Sequence, residues 1–212
     1  MAGILFPEQS EYLQNIHKTQ NDEFDEIRLY AIEHKIPIAD EITIRFIEQL
    51  LKIKNPQNVL EIGTAIGYSA LRMGKIISKK SELTTIEKST DNIKIARENF
   101  QKFGFSNKIK LLHGEAVEIL PSLNEQFDFI FLDADKKDYI ELFPLLLKLL
   151  LPSGLLLVDN LLWKGRIAKS HEIEKENSTL VLRNFNQIFL SEKLLSASIL
   201  PIGDGLGFGI KK

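Results

Sequence analysis

Cysteine is absent from the 212 residues, which excludes disulfides, thiolate nucleophiles and zinc–thiolate centres and leads us to expect a cytoplasmic setting. Long apolar runs are missing too. A membrane-spanning helix needs about 18 or more consecutive uncharged residues. The longest candidate, Leu145 to Leu157, is broken by Lys148, Pro152, Ser153 and Gly154. The opening residues carry Glu8 and Glu11 and no basic stretch leading into an apolar one, so no signal peptide is expected. Nor is positive charge in surplus. With 27 Lys and Arg against 29 Asp and Glu, the formal charge is −2, which argues against a general nucleic-acid binder because phosphate contacts need clustered cations. The basic groups that exist (Lys79-Lys80, Lys136-Lys137, Lys164-Gly165-Arg166 with Lys169, and Lys211-Lys212) read mainly as solvated surface.

What is present has the length of one well-packed domain. One unit is expected over residues 1–212, with a helical segment at 1–36 ahead of a core at 37–212. In the first segment Ile27, Tyr30, Ala31 and His34 recur at helical spacing, predicting an amphipathic face that covers the site or mediates a homodimer. From Asn58 onward, short β-type runs (Asn58–Ile62, Leu83–Glu87, Lys108–Leu112, Phe127–Asp133, Gly154–Asp159) alternate with helical stretches such as Tyr68–Ile77, Thr90–Phe103 and Tyr139–Leu151. Near-continuous apolar strands between helices predict an α/β, doubly wound, mostly parallel sheet covered on both faces. Two last runs, Leu194–Leu200 and Leu206–Ile210, are joined by Pro-Ile-Gly-Asp-Gly and predict an antiparallel pair at one edge.

Ligands of such sheets sit beyond the carboxyl ends of the strands. Here those ends carry Glu61, Glu87, Asp133 and the pair Asp159-Asn160. Acidic side chains are poor strand formers, so their placement points to a site. The first strand runs into Glu61-Ile-Gly63-Thr-Ala-Ile-Gly67-Tyr-Ser69, whose E-x-G-x-x-x-G spacing departs from the G-x-G-x-x-G of dinucleotide enzymes. Glu61 would repel a pyrophosphate but suits a sulfonium or an α-ammonium. Glu87, ending the second strand, can accept bonds from both hydroxyls of a ribose.

Asp133 alone could be a helix N-cap, and Asp159-Asn160 alone a turn. If their strands are neighbours, two carboxylates and an amide converge, a donor set suited to a hard cation such as Mg²⁺. A cation there lowers the pKa of a bound hydroxyl. Lys136, three residues past Asp133, could remove its proton if its own pKa is depressed beside the metal.

Val59-Leu-Glu-Ile-Gly-Thr-Ala-Ile-Gly-Tyr-Ser-Ala70, Asp133-Ala-Asp-Lys136, Asp159-Asn-Leu-Leu-Trp-Lys-Gly165 and the closing Pro201-Ile-Gly-Asp-Gly205 together resemble the cation-dependent O-methyltransferases, which include catechol and caffeoyl-CoA O-methyltransferases. The likeness covers residues 28–212. It implies a Rossmann-like methyltransferase fold that moves the methyl of S-adenosylmethionine to one hydroxyl of a metal-chelated vicinal oxygen pair. By the resemblance Glu61, Gly63 and Ser69 hold the methionine portion and Glu87 the ribose, while Glu115 and Ala116 meet the adenine. Asp133 and Asp135 also face the cofactor. Asp133, Asp159 and Asn160 bind the metal, and Asp133 and Lys136 form the catalytic pair, with Lys136 as base. The run Ala31-Ile-Glu-His-Lys-Ile-Pro-Ile-Ala-Asp40 is similar to the bacterial branch that methylates 5-hydroxyuridine in tRNA, and by that analogy Ala39 contacts the cofactor. Asp135-Lys136-Lys137-Asp138 reads more like the small-phenol branch. The acceptor is therefore expected to be a catechol-like small molecule or tRNA, with no membrane partner. A relative that binds S-adenosylmethionine without transferring its methyl is the alternative. His17, His34, His113 and His171 fall in no ligand spacing, and Trp163 is expected either at the substrate mouth or in packing.

Overall fold

The structure, a computed structural model, describes residues 7–17, 22–168 and 177–212. His171 and Lys169 lie outside the described residues. Helices α1 (Pro7–His17), α2 (Asp25–Glu33) and α3 (Glu41–Lys54) precede the sheet. Strands and helices then alternate as β1 (Asn58–Ile62), α4 (Tyr68–Ile76), β2 (Glu82–Glu87), α5 (Thr90–Lys102), β3 (Ile109–His113), α6 (Ala116–Ile119), β4 (Phe127–Leu132), α7 (Tyr139–Leu149) and β5 (Leu150–Val158). Helix α8 (Asn177–Ser191) leads to β6 (Leu195–Leu200) and β7 (Leu206–Lys211). The sheet order is β3-β2-β1-β4-β5-β7-β6, parallel from β3 to β5 and antiparallel beyond. The mostly parallel α/β architecture expected from the alternation is present. The last pair is a hairpin in which β7 joins β5 and β6 forms the edge.

Alternation along the strands fills both faces. Val59, Phe129, Phe131, Leu155 and Leu157 point into a core under α2, α3, α4 and α5. Their neighbours Leu60, Ile130, Leu132, Leu156 and Val158 point into a second core with Leu142, Phe143 and Leu146 of α7 and Phe185 and Phe189 of α8. Two elements differ from expectation. β5 begins at Leu150 rather than Gly154, because α7 stops at Leu149 and Leu150 already pairs with Phe127. The ladder then slips and resumes at Phe129–Leu155, past Ser153 in the left-handed region. In α2 only Ile27 and Ala31 of the expected stripe are buried; Tyr30 and His34 turn outward and stack on each other at 3.9 Å. Helix α3 is capped by Asp40, whose Oδ1 accepts the backbone N–H groups of Ile42 (2.8 Å) and Thr43 (3.0 Å).

The chain lays β2 and β3 on one side of β1, then returns to place β4 on the other. This reversal opens a crevice at the carboxyl ends of β1 and β4, where such sheets bind ligands. Gly63 sits at that point with φ +99°, and a Cβ there would come within 1.9 Å of the Asp133 carbonyl oxygen. Only glycine lets the two strand ends approach so closely. Among the described residues, no helix is long and apolar enough to cross a membrane.

Candidate active site

A cavity of about 1120 Å³ opens at this crevice. Its lining includes Ala39, Gly63, Ser69, Glu87, Glu115, Ala116, Asp133, Asp135, Lys136, Asp159 and Asn160, so all the residues singled out in the sequence except Glu61 face one space. Glu61 lies beneath it, fully buried. Its Oε2 accepts a hydrogen bond from the Thr85 hydroxyl at 2.5 Å, while Oε1 has no partner. Burial pushes its carboxyl up to about 7, with the charges of Asp133 and Glu87 adding to the effect and the Ser69 and Thr85 hydroxyls opposing it. A buried acid with an orphaned oxygen is a costly arrangement unless a cationic group completes it. This fits the ammonium of S-adenosylmethionine.

Glu87, at the end of β2, is held by two backbone donors, Ala65 N on Oε2 and Ser89 N on Oε1, each at 2.8 Å. Those bonds orient the carboxylate toward the cavity and tie it to the loop after Gly63. Beside it Lys88 donates to Asp135 Oδ2 at 2.5 Å and lies 3.7 Å from Glu115. The Lys88 ammonium holds the Asp135 carboxyl below its usual range. Asp135 was expected to face the cofactor; in this structure it faces the cavity but is engaged by Lys88.

At the other end, main-chain bonds align the strand termini. Asp133 N donates to Ile62 O (2.9 Å) and Asp159 N to Leu132 O (3.0 Å), which sets the two aspartates side by side with Asn160 following. Asp159 is buried, and burial together with the charge of Asp133 pushes its carboxyl well up, against the Asn160 N–H bond and Lys136. β4 and β5 are neighbours, the condition under which these groups were expected to converge. Among the described residues no three His, Cys, Asp or Glu are placed as a metal cluster. The donor set is two carboxylates and one amide, and crowded anions of this kind fit a hard divalent cation whose remaining positions are taken by water or acceptor oxygens.

Lys136 Nζ donates to Asp133 Oδ1 (2.9 Å), the Ala134 carbonyl (3.0 Å) and the Tyr139 hydroxyl (2.9 Å). The sequence suggested a depressed amine. With these neighbours the direction is reversed: burial disfavours the ammonium, but the Tyr139 and Asp133 oxygens outweigh it and hold the amine above the usual lysine range. Tyr139, itself pushed up by burial, stays a neutral phenol, so Asp133 supplies the countercharge.

Trp163 lines the cavity and also packs on the core under α7 and α8. The lining also includes charged residues to which the sequence assigned no role, among them Asp40, Lys88 and Asp204. Asp40 caps α3, Asp204 lies in the loop before β7, and Lys88 is partly exposed. Their common signal was position, since each lies at or beside a segment already quoted for the site. His113 and His34 bond main-chain carbonyls at the surface.

The O-methyltransferase family model matches residues 10–212. The chain belongs to the O-methyltransferase family. A catechol O-methyltransferase of Niastella koreensis is 31% identical over 177 residues, 79% of each chain. A caffeoyl-CoA O-methyltransferase of Populus kitakamiensis is 33% identical over 171 residues, 76% of this chain and 73% of its own. The solved O-methyltransferase of Bacillus cereus in complex with SAH has a TM-score of 0.85 and 25% identity, covering 95% of this chain and 96% of its own. The bound nucleoside of that structure agrees with the family's donor being S-adenosylmethionine.

Proposed function

We propose that this O-methyltransferase moves the methyl of S-adenosylmethionine to a hydroxyl of a catechol-like acceptor, with a divalent cation held by Asp133, Asp159 and Asn160. The observation that carries this reading is that two pairs of carboxylates meet one cavity. At one end Glu87 lines it with Glu61 buried beneath, and at the other Asp133 and Asp159 line it with Lys136 bonded to Asp133. S-adenosylmethionine supplies the electrophilic methyl, and a divalent cation supplies Lewis acidity for a bound hydroxyl. Glu61 and Ser69 hold the methionine end, Glu87 the ribose, and Ala39, Glu115 and Ala116 close around the nucleoside. Lys136 is placed to take the acceptor proton at Nζ; its ammonium is held by Asp133, and a cation that neutralised Asp133 would favour the free amine this role requires. The family relationship and the lysine at the carboxylates favour transfer over binding alone.

The tRNA acceptor remains a second reading, supported by exposed Lys137 beside the site and exposed Lys164 in the cavity wall, which could meet phosphate. Homodimer formation is proposed on the exposed apolar side chains Tyr12, Ile16, Leu29 and Ile32 of α1 and α2. The deciding assay is methyl transfer to catechol, and in parallel to tRNA bearing unmethylated 5-hydroxyuridine, with Mg²⁺ and with chelator. We expect metal-dependent methylation of catechol. Methylation of neither acceptor overturns the proposed activity.

A further inference from the structure

The turn after β5 is the most strained segment of the described chain. Asn160 (φ 63°), Trp163 (φ 46°) and Lys164 (φ 54°) all sit in the left-handed region, with Gly165 (φ 76°) following. Non-glycine residues avoid this region, and a cluster of them persists only where the surroundings over-determine it. The surroundings here are the loop between β6 and β7. Gly205 O accepts from Leu161 N (2.8 Å), Asp204 O accepts from Leu162 N (3.0 Å), and the Asp204 carboxylate Oδ1 accepts from Lys164 N. Asp204 thus holds the turn with both its backbone and its side chain.

The loop packs closely on its neighbours. A Cβ on Gly205 would lie 2.6 Å from Leu162 N, and one on Gly203 would lie 2.1 Å from Asp40 Oδ2 and from the Thr43 hydroxyl. The loop is wedged between the N-terminus of α3, which walls the cavity, and the turn that carries Asn160 and Trp163 into it. We propose that Asp204 is a positioning residue: by tying down the left-handed turn, it fixes the Asn160 amide beside Asp159 and the Trp163 ring in the cavity wall. The part concerning Asn160 rests on the proposed metal site; the part concerning Trp163 does not.

Trp163 is the single tryptophan of the chain, so its fluorescence, excited apart from the four tyrosines, reports this turn and the cavity wall it forms. The test uses wild type, Asp204→Ala and Asp204→Asn, each loaded with SAH and shown by calorimetry to bind it as wild type does. Acrylamide quenching of Trp163 and Mn²⁺ binding by electron paramagnetic resonance are then measured. Asp204→Ala should expose Trp163 to the quencher and weaken Mn²⁺ by about 10- to 100-fold, the usual cost of losing a support behind a metal ligand. Asp204→Asn keeps an oxygen acceptor for Lys164 N and should restore both readouts. Unchanged quenching in Asp204→Ala overturns the inference. Raised quenching with unchanged Mn²⁺ affinity overturns its Asn160 part. A wild type that binds no Mn²⁺ refutes the metal reading instead, while raised quenching in the variant still upholds the anchoring of the turn.

Discussion

Lys136 Nζ rests 2.9 Å from Asp133 Oδ1, three residues back along a loop that follows β4, and also within reach of the Tyr139 hydroxyl. One amine is therefore shared between the carboxylate of the proposed metal site and a buried neutral phenol.

That double contact makes the choice of substitution informative. Lys136→Met should lower kcat on catechol by about 10²-fold or more, with SAH affinity nearly unchanged. Lys136→Arg keeps the positive charge but cannot give up a proton near neutral pH. If proton transfer is the role, both variants fall alike in single-turnover assays. Activity retained in the arginine variant would show that charge alone is needed. Exposed Lys137, changed to Met, should leave turnover of catechol intact.

Glu61 should make stability and binding respond to pH in opposite senses. Its carboxyl is raised from an ordinary 4.5 to about 7, so between these values the folded protein holds a proton that the unfolded chain has lost. Folding stability therefore falls as pH rises through this window, by about 3 kcal/mol in all. Glu61→Gln should match wild type near pH 4.5 and exceed its stability by about that amount above pH 7, while binding SAH more weakly. Urea titrations at pH 5 and pH 8 check this. An equal stability change at both values would mean that the buried acid is not titrating.

The proposed metal site predicts a linked pair of effects at Asp159. Chelator should abolish methyl transfer by the wild type, and added Mg²⁺ should raise its Tm by binding only the folded state. Asp159→Asn removes a buried carboxyl whose ionisation burial and Asp133 oppose. The variant should be inactive, insensitive to Mg²⁺ in thermal melts, and more stable than wild type without metal. Full activity in excess chelator would refute the metal role.

Arg72 gives a stability prediction away from the chemistry. Its buried guanidinium bonds Asp22 (2.9 Å), Glu41 (3.3 Å), Glu48 (2.5 Å) and the Tyr68 hydroxyl (2.8 Å), joining the entry to α2, helix α3 and helix α4. Arg72→Met leaves Asp22 and Glu48 without their cation, while Glu41 keeps Arg45 at 2.6 Å, and should cost about 3–5 kcal/mol of unfolding free energy. Guanidinium titration measures it, and a loss below 1 kcal/mol, about that of a surface pair, would show that water replaces the arginine.

Much of this architecture was written in local pattern. Apolar runs such as Phe127–Leu132 bury both faces, and turn glycines and acids at strand ends mark where helices follow. The strand order, and with it the neighbourhood of Asp133 and Asp159, required only that the βαβ units wind in the usual way. What the sequence could not decide is what depends on groups far apart in the chain. Tyr30 and His34 share a helical stripe with Ile27, yet only the packing of Phe24, Ile27 and Ala31 against the sheet side chose which part of that stripe is buried. The charge state of Lys136 depends on Tyr139 being buried and Asp133 being close, and the strain at Asn160 on a loop some forty residues later. Burial and hydrogen-bond partnership are properties of the folded surroundings; a residue's identity supplies the group, and only the tertiary contacts determine its field.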